Sequence, residues 1–263
     1  MRQQGRAGTL SLVSAVRPGA VRALIAPGLV SLVCLAILLG LGVWQLDRKS
    51  QKEALIGRIL DRSRIEPPAS LPAPGTWNPE ADEFRRVRVT GTLLNDRETL
   101  VHGLAAGAAP GRALQGYYVL TPLRRSEGDT VLINRGFVPT ELKAPTSRTV
   151  GQIAGETTIT GILRGSEPRT MFVPAPDAAR NEWFNRDIAG ISAAAGLAAP
   201  LPYLVEADAT PNPGGWPKGG QLRVDLPNNH LQYAFTWFGI AGCLIGVFGV
   251  FAWKRLFDAP DPA

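Results

Sequence analysis

The sequence predicts a membrane protein with two transmembrane helices flanking an extramembrane, mostly-β domain of barrel-like, α+β character. Two uncharged apolar runs, at 23–46 and 226–253, lie near the two ends of the 263-residue chain. Between them, short segments rich in β-branched and aromatic residues alternate with Gly, Asn and Asp, as strands and turns do. The only cysteines, Cys34 and Cys243, fall inside the apolar runs, so the central region must hold together by its own core without a disulfide.

Residues 1–22 carry Arg2, Arg6, Arg17 and Arg22 and no acid, which marks them as a cytoplasmic basic N-terminus. Such an acid-free stretch with Arg and Ser also resembles an organelle transit peptide, and composition leaves both origins open. At about 1.5 Å per residue, the run 23–46 exceeds the roughly 30 Å hydrocarbon core of a bilayer and is expected to span it. The run is too long for a secretory signal core, and no small-residue cleavage pattern follows Trp44-Gln45. The second run becomes continuously apolar near Tyr233 and ends at Lys254-Arg255, giving a span at 230–253 and a cytoplasmic tail at 254–263, with Asp258 and Asp261 following. With both basic flanks inside, residues 47–229 face a periplasm or an intermembrane space.

Within this outer domain, the rhythm of Leu55, Ile56, Ile59 and Leu60 against Lys49, Lys52, Arg58 and Arg62 predicts that the first helix continues beyond the bilayer. The prolines at 67, 68, 72 and 74 end it. Strands are expected at 84–94, 98–103, 115–123, 129–138, 157–163 and 202–206. In the first of them, Arg86 and Arg88 alternate with Val87 and Val89, as a half-buried antiparallel strand requires. A short helix is expected at 187–195 with Asp187 as its cap. The Pro- and Gly-rich loop 210–220 is expected to be mobile or to wrap against the sheet.

The residues argue against most enzyme classes. The outer domain holds no cysteine, one methionine (Met171) and His102 standing alone before His230, too few ligands for a zinc or copper centre and too few bases for a serine nucleophile. Gly214-Gly215-Trp216-Pro217-Lys218-Gly219-Gly220 lacks the spacing and following helix of a phosphate loop. The net charge of +6 reflects the basic flank and an interspersed surface, and points to no nucleic acid.

The informative residues gather where both runs meet the outer interface. The first helix arrives there with Trp44 and Gln45; the second begins with His230, Tyr233 and Trp237, which share a helical face with Ala234. Two readings stand. One is an aromatic belt with a histidine at the water boundary. The other is a neutral imidazole at His230 that ligates haem iron, with aromatic rings beside a flat macrocycle. Gly242 and Gly246 form a small-xxx-small pair expected to let helices approach closely.

Several segments together resemble the surfeit locus protein one family, the cytochrome c oxidase assembly factors. They are Gly42-Val43-Trp44-Gln45-Leu46-Asp47-Arg48, Gly116-Tyr117-Tyr118-Val119-Leu120-Thr121-Pro122-Leu123, Val131-Leu132-Ile133-Asn134-Arg135-Gly136-Phe137-Val138-Pro139 and Asn228-Asn229-His230-Leu231-Gln232-Tyr233-Ala234-Phe235-Thr236-Trp237. The resemblance covers roughly 41–255, with the same order and topology, and departs from the family in the Pro- and Gly-rich insertion at 212–220. It implies a non-enzymatic factor of the inner membrane that binds haem a while subunit I of a haem-copper oxidase receives it. His230 is then the ligand of the haem iron, and Tyr233, Trp237 and Trp44 pack around the haem. The implied partners are cytochrome c oxidase subunit I, haem a synthase, the lipid bilayer and a second copy in a homo-oligomer. The competing class is a scaffold that stabilises an oxidase intermediate without touching haem. By the same resemblance, Asn134, Arg135 and Gly136 build a turn or buried polar network. The Ala, Arg, Gly and Pro content leans towards a bacterial source.

Overall fold

A computed structural model describes residues 19–66, 68–73, 75–106, 113–221 and 228–257. The expectations resting on Arg2, Arg6, Arg17, Pro67, Pro74, Asp258 and Asp261 fall outside the described residues. The chain divides into two compact units, one made of 1–55 with 227–263 and the other of 56–226.

The first unit is helical. Helix α1 runs Ala20–Ser63, passing from the apolar run straight through the charged stretch that follows, and its part after Leu55 belongs to the second unit. The closing helix runs His230–Phe257 and is numbered α4 in chain order. Lys254 and Arg255 occupy its last turn, where cations complement the helix dipole. Both helices are long and apolar enough to cross a membrane. Their exposed surface is apolar: Leu29, Val30, Leu32 and Val33 on α1, and Phe235, Val247, Val250 and Trp253 on α4, all stand largely uncovered. Soluble proteins rarely leave so continuous an apolar surface open.

The second unit is built on strands β1 (Arg86–Leu93), β2 (Thr99–Ala106), β3 (Ala113–Arg124), β4 (Thr130–Pro139), β5 (Glu156–Arg164), β6 (Glu182–Trp183) and β7 (Pro200–Ala207). It adds two short helices, α2 (Pro79–Asp82) and α3 (Ile188–Ala194). The strands form one sheet in the order β1-β5-β7-β4-β3-β2-β6. Its neighbours are antiparallel except β4 with β7 and β2 with β6. β1 also meets β3, at Thr92↔Arg124 and Leu93↔Leu123, so the sheet curls until its first strand pairs with its fifth.

The two-residue period of a strand explains the core. Val131, Ile133, Tyr203 and Val205 point to one face, where they join Val87, Val89 and Leu163. The intervening Leu132 and Leu204 point to the other and are covered by Ile188 and Ile191 of α3, together with Val101, Leu120 and Trp183. Each such side chain taken fully out of water contributes roughly 1.5–3 kcal/mol. β4 is covered on both faces, and only Pro139 at its end is partly open. β1 shows the expected alternation, with Val87 and Val89 buried and Arg86 and Arg88 outward.

Asp187 caps α3 by accepting from the Gly190 amide at 3.1 Å. The expected first strand is shorter than its composition suggests: Phe84 sits at φ +68°, in the left-handed region, and the strand begins two residues later. β6, unforeseen because two residues carry no period, extends the sheet through Leu100↔Glu182 and Val101↔Trp183.

Asn134, Arg135 and Gly136 do form a buried polar network. Asn134 Oδ1 accepts from the Gly136 amide at 3.1 Å, and Arg135 Nη2 donates to the Gly151 carbonyl at 2.6 Å and to Asn212 Oδ1 at 3.1 Å. Gly136 has φ +123°, and a Cβ there would overlap the Lys218 carbonyl. The 210–220 loop therefore wraps against the sheet: Phe137 and Lys218 exchange two backbone hydrogen bonds of 2.9 Å. Beside this network lies an ion pair between Glu98 and Arg148, with side chains only 4% and 2% exposed.

Candidate functional site

α4 starts at His230, and its Nδ1 lies 2.8 Å from Oε1 of Gln45 on α1. An amide oxygen only accepts, so Nδ1 is the donor in this contact, and in the neutral imidazole that tautomer leaves the lone pair on Nε2. The amide thus fixes both the tautomer and the plane of the imidazole. Gln45 is buried, 9% exposed, while His230 is half-buried. The pair sits at a chemical boundary. On one side is the uncharged run; on the other come Asp47 and Arg48, both hydrogen-bonded to Gln51, and the Lys49–Glu53 ion pair at 2.7 Å.

Small residues let the two helices come together below this pair. Ala234 and Ala241, seven residues apart on α4, are 1% and 2% exposed. Gly42 of α1 lies against Phe238, and a Cβ added there would overlap the ring. Further along, a Cβ on Gly28 would meet Phe248 at 3.5 Å. The pairs 45 with 230, 42 with 238 and 28 with 248 make the helices antiparallel. The expected role of Gly242 and Gly246 in close approach is corrected by this arrangement: a Cβ at either would meet nothing within 4 Å, because they stand off the face that Ala234 and Ala241 define.

Of the residues expected from sequence, His230 and Ala234 lie on the inner face and Trp237 is half-buried. Tyr233 and Trp44 are 55% and 49% exposed, and Arg48 stands over the Trp44 ring at 5.8 Å. No ring–ring contact joins Trp44, Tyr233 and Trp237 among the described residues. Trp44 and Tyr233 therefore stand open and wall no closed pocket among the described residues. An open depression lined by Asn229, Leu231, Gln232, Phe235 and Thr236 lies on the first turns of the same helix.

Gln45 is the residue that sequence reasoning undervalued. Its signal was an amide among apolar neighbours, close to the end of a run that otherwise carries almost no polar side chain.

His102, in the second unit, is held differently. Its ring stacks on Phe184 with centroids 4.7 Å apart and planes 7° from parallel, and lies 4.7 Å from Tyr117. Among the described residues no group of three or more His, Cys, Asp or Glu is arranged to hold a metal ion.

Comparison of the sequence with known proteins finds relatives over most of the chain. The chain is 40% identical over 220 residues to a "SURF1-like protein" of Monosiga brevicollis, covering 79% of this chain and 80% of that one. It is 36% identical over 212 residues to mouse "Surfeit locus protein 1", covering 76% and 67%. The human protein of the same name is 36% identical over 213 residues, covering 77% and 69%. The SURF1 family model matches residues 32–242, which take in the Gln45 end of α1, the whole sheet and the His230 end of α4, and the chain belongs to the SURF1 family.

Proposed function

We propose that this protein is a non-enzymatic assembly factor for haem-copper cytochrome c oxidase that binds haem a and assists its delivery to subunit I. The observation that carries the reading is the 2.8 Å hydrogen bond between His230 and Gln45. It leaves Nε2 as a preset donor where an apolar surface meets polar groups, the chemistry that an axial ligand of haem iron needs. Haem a, when bound, would supply an iron able to take one imidazole nitrogen and a flat, largely apolar ring. His230 would hold the iron, and Trp237, Trp44 and Tyr233 would bound the ring. The open surface suits transient holding, since a fully enclosed haem would leave slowly.

In this reading α1 and α4 span an inner membrane, bacterial or mitochondrial, with both termini inside and the sheet domain in the periplasm or intermembrane space. The sheet is then the surface that meets haem a synthase or the nascent subunit I. Membership of the SURF1 family supports this, as does the apolar surface of both helices. A second reading, a haem-independent scaffold, draws on the exposure of Trp44 and Tyr233, which an interfacial aromatic belt also explains.

The deciding experiment is the visible spectrum of the full chain purified from cells that make haem a, beside a His230→Ala variant at equal membrane level. A haem a spectrum that disappears in the variant supports the carrier. Haem retained by the variant moves the ligand elsewhere, and no haem in either protein favours the scaffold.

A further inference from the structure

Between β5 and β6 the chain makes a turn at Thr170–Val173, closed by a hydrogen bond of 3.1 Å from the Val173 amide to the Thr170 carbonyl. Its two central residues are Met171 and Phe172, 89% and 87% exposed. Turns are normally built from Gly, Pro, Asn, Asp or Ser, and two large apolar side chains held out into solvent do nothing for the turn itself. Pro168, Pro174 and Pro176 frame the segment and restrict its backbone.

The apolar surface continues on the strands beside the turn. Phe172, Val173 and Pro174 share a depression of about 490 Å³ with Leu104 of β2 and Tyr117 of β3. Leu104 is itself exposed, as is Leu114 of β3. The charge around this surface has one sign. Residues 99–126 and 168–176 contain no acid. Arg169 is exposed next to the turn, while the acids that bracket the segment, Glu167 and Asp177, are held by Arg186 and Arg180. An apolar tip with a cation at its base matches the boundary between acyl chains and anionic headgroups of a bilayer. Where α1 and α4 span a membrane, the sheet unit is tethered to that surface, and tethering makes even a weak contact effective.

We propose that the Thr170–Val173 turn is a lipid-contacting element: Met171 and Phe172 enter the headgroup–acyl boundary of an anionic bilayer, and Arg169 takes a lipid phosphate. The inference rests on the membrane-spanning reading of the two helices and is independent of haem.

The test places a nitroxide label on the full chain reconstituted in vesicles of phosphatidylcholine and phosphatidylglycerol. Met171→Cys, in a chain carrying Cys34→Ala and Cys243→Ala, gives one attachment point. Ser126→Cys in the same background, in the turn after the opposite end of β3, gives a reference in water. Oxygen concentrates in lipid and a nickel chelate stays in water, so the ratio of their collision rates with the label reads depth. Oxygen should dominate at position 171 and nickel at position 126. Phe172→Ser should move the label at 171 towards water by about tenfold or more, the loss of one buried aromatic side chain. Arg169→Gln should do so by roughly fivefold with phosphatidylglycerol present, and by much less in phosphatidylcholine alone. A label at 171 as open to nickel as the one at 126 overturns the proposal. One shielded from both probes also overturns it, and assigns the turn to a protein surface. A label on the native Cys243, in the Cys34→Ala chain, reads the helices separately: nickel access there removes the membrane reading, whereas oxygen dominance there with nickel access at 171 removes only the lipid contact of the turn.

Discussion

His230 and Gln45, 185 positions apart in the chain, are joined by a hydrogen bond of 2.8 Å between Nδ1 and Oε1. The bond ties the first residue of α4 to the end of the apolar run of α1. It also sets which nitrogen of the His230 ring, when neutral, keeps its lone pair. Two properties follow from one contact: the register of the helix pair and the chemistry of the imidazole.

Gln45→Leu keeps the volume of the side chain and removes the acceptor. Losing the group that orients a metal-bound histidine typically costs tenfold or more in affinity, so under the proposed haem reading the affinity for haem a should fall by about that factor. Stability should change by only about 1 kcal/mol, the net value of one hydrogen bond. Gln45→Glu, which retains an acceptor, should stay close to the wild type. Titration of purified protein with haem a, followed by visible absorption, separates the three. Wild-type affinity in Gln45→Leu would remove the amide from the site.

The contact between Gly42 and Phe238 makes a steric prediction. Gly42→Val pushes a branched side chain into the Phe238 ring and should cost about 1–3 kcal/mol, the usual penalty of overpacking. Combining it with Phe238→Ala should recover part of that loss, because the substitution opens the space that the valine needs. Thermal melts in detergent of both single variants and the double variant give the coupling between the positions. Strictly additive losses would show that the two residues do not touch.

Tyr203 carries a pH dependence. Its hydroxyl donates to the Pro72 carbonyl at 2.6 Å, and its ring lies 4.9 Å from that of Trp77. Burial raises its pKa to about 12, with Arg125 lowering and Asp129 and Asp82 raising it, against a model-peptide value of 10.0. A folded state that keeps a proton the unfolded chain has lost is destabilised as pH rises between those values. Stability should therefore be intact below pH 10 and fall at up to about 1.4 kcal/mol per pH unit towards pH 12. Tyr203→Phe should start about 1 kcal/mol lower, having lost the hydrogen bond, and then decline less steeply. Denaturant titrations of both proteins across that range measure the difference, and parallel curves would place the titration elsewhere.

Much of the sheet was legible because strands advertise a period of two. The alternation Arg86, Val87, Arg88, Val89 placed β1 and its buried face, and Asp187 announced the start of α3. The left-handed turn at Phe84 was not legible, since an aromatic residue beside an alternating strand reads as more strand. Neither was the Glu98–Arg148 pair, whose members are 50 residues apart and each ordinary for a surface. In the helix pair, composition pointed to Gly242 and Gly246, while the structure uses Ala234, Ala241 and Gly42. Glycine spacing says that a close approach is available, and only the partner helix decides where it occurs.

The sequence by itself determined the two long apolar helices, the strand-rich region between them, and the small set of polar and aromatic residues at 44–45 and 230–237 from which a site could be made. Those properties follow from local periodicity and from the transfer energetics of side chains, both of which are written along the chain. Tertiary structure alone decided that Gln45 meets His230, that the curled sheet brings β1 to β3, and that Arg135 lies buried beside Asn212 with one nitrogen unmatched. Each depends on residues far apart in the chain. Such contacts arise from packing the elements together, and no local pattern encodes the partner of a hydrogen bond that closes across that distance.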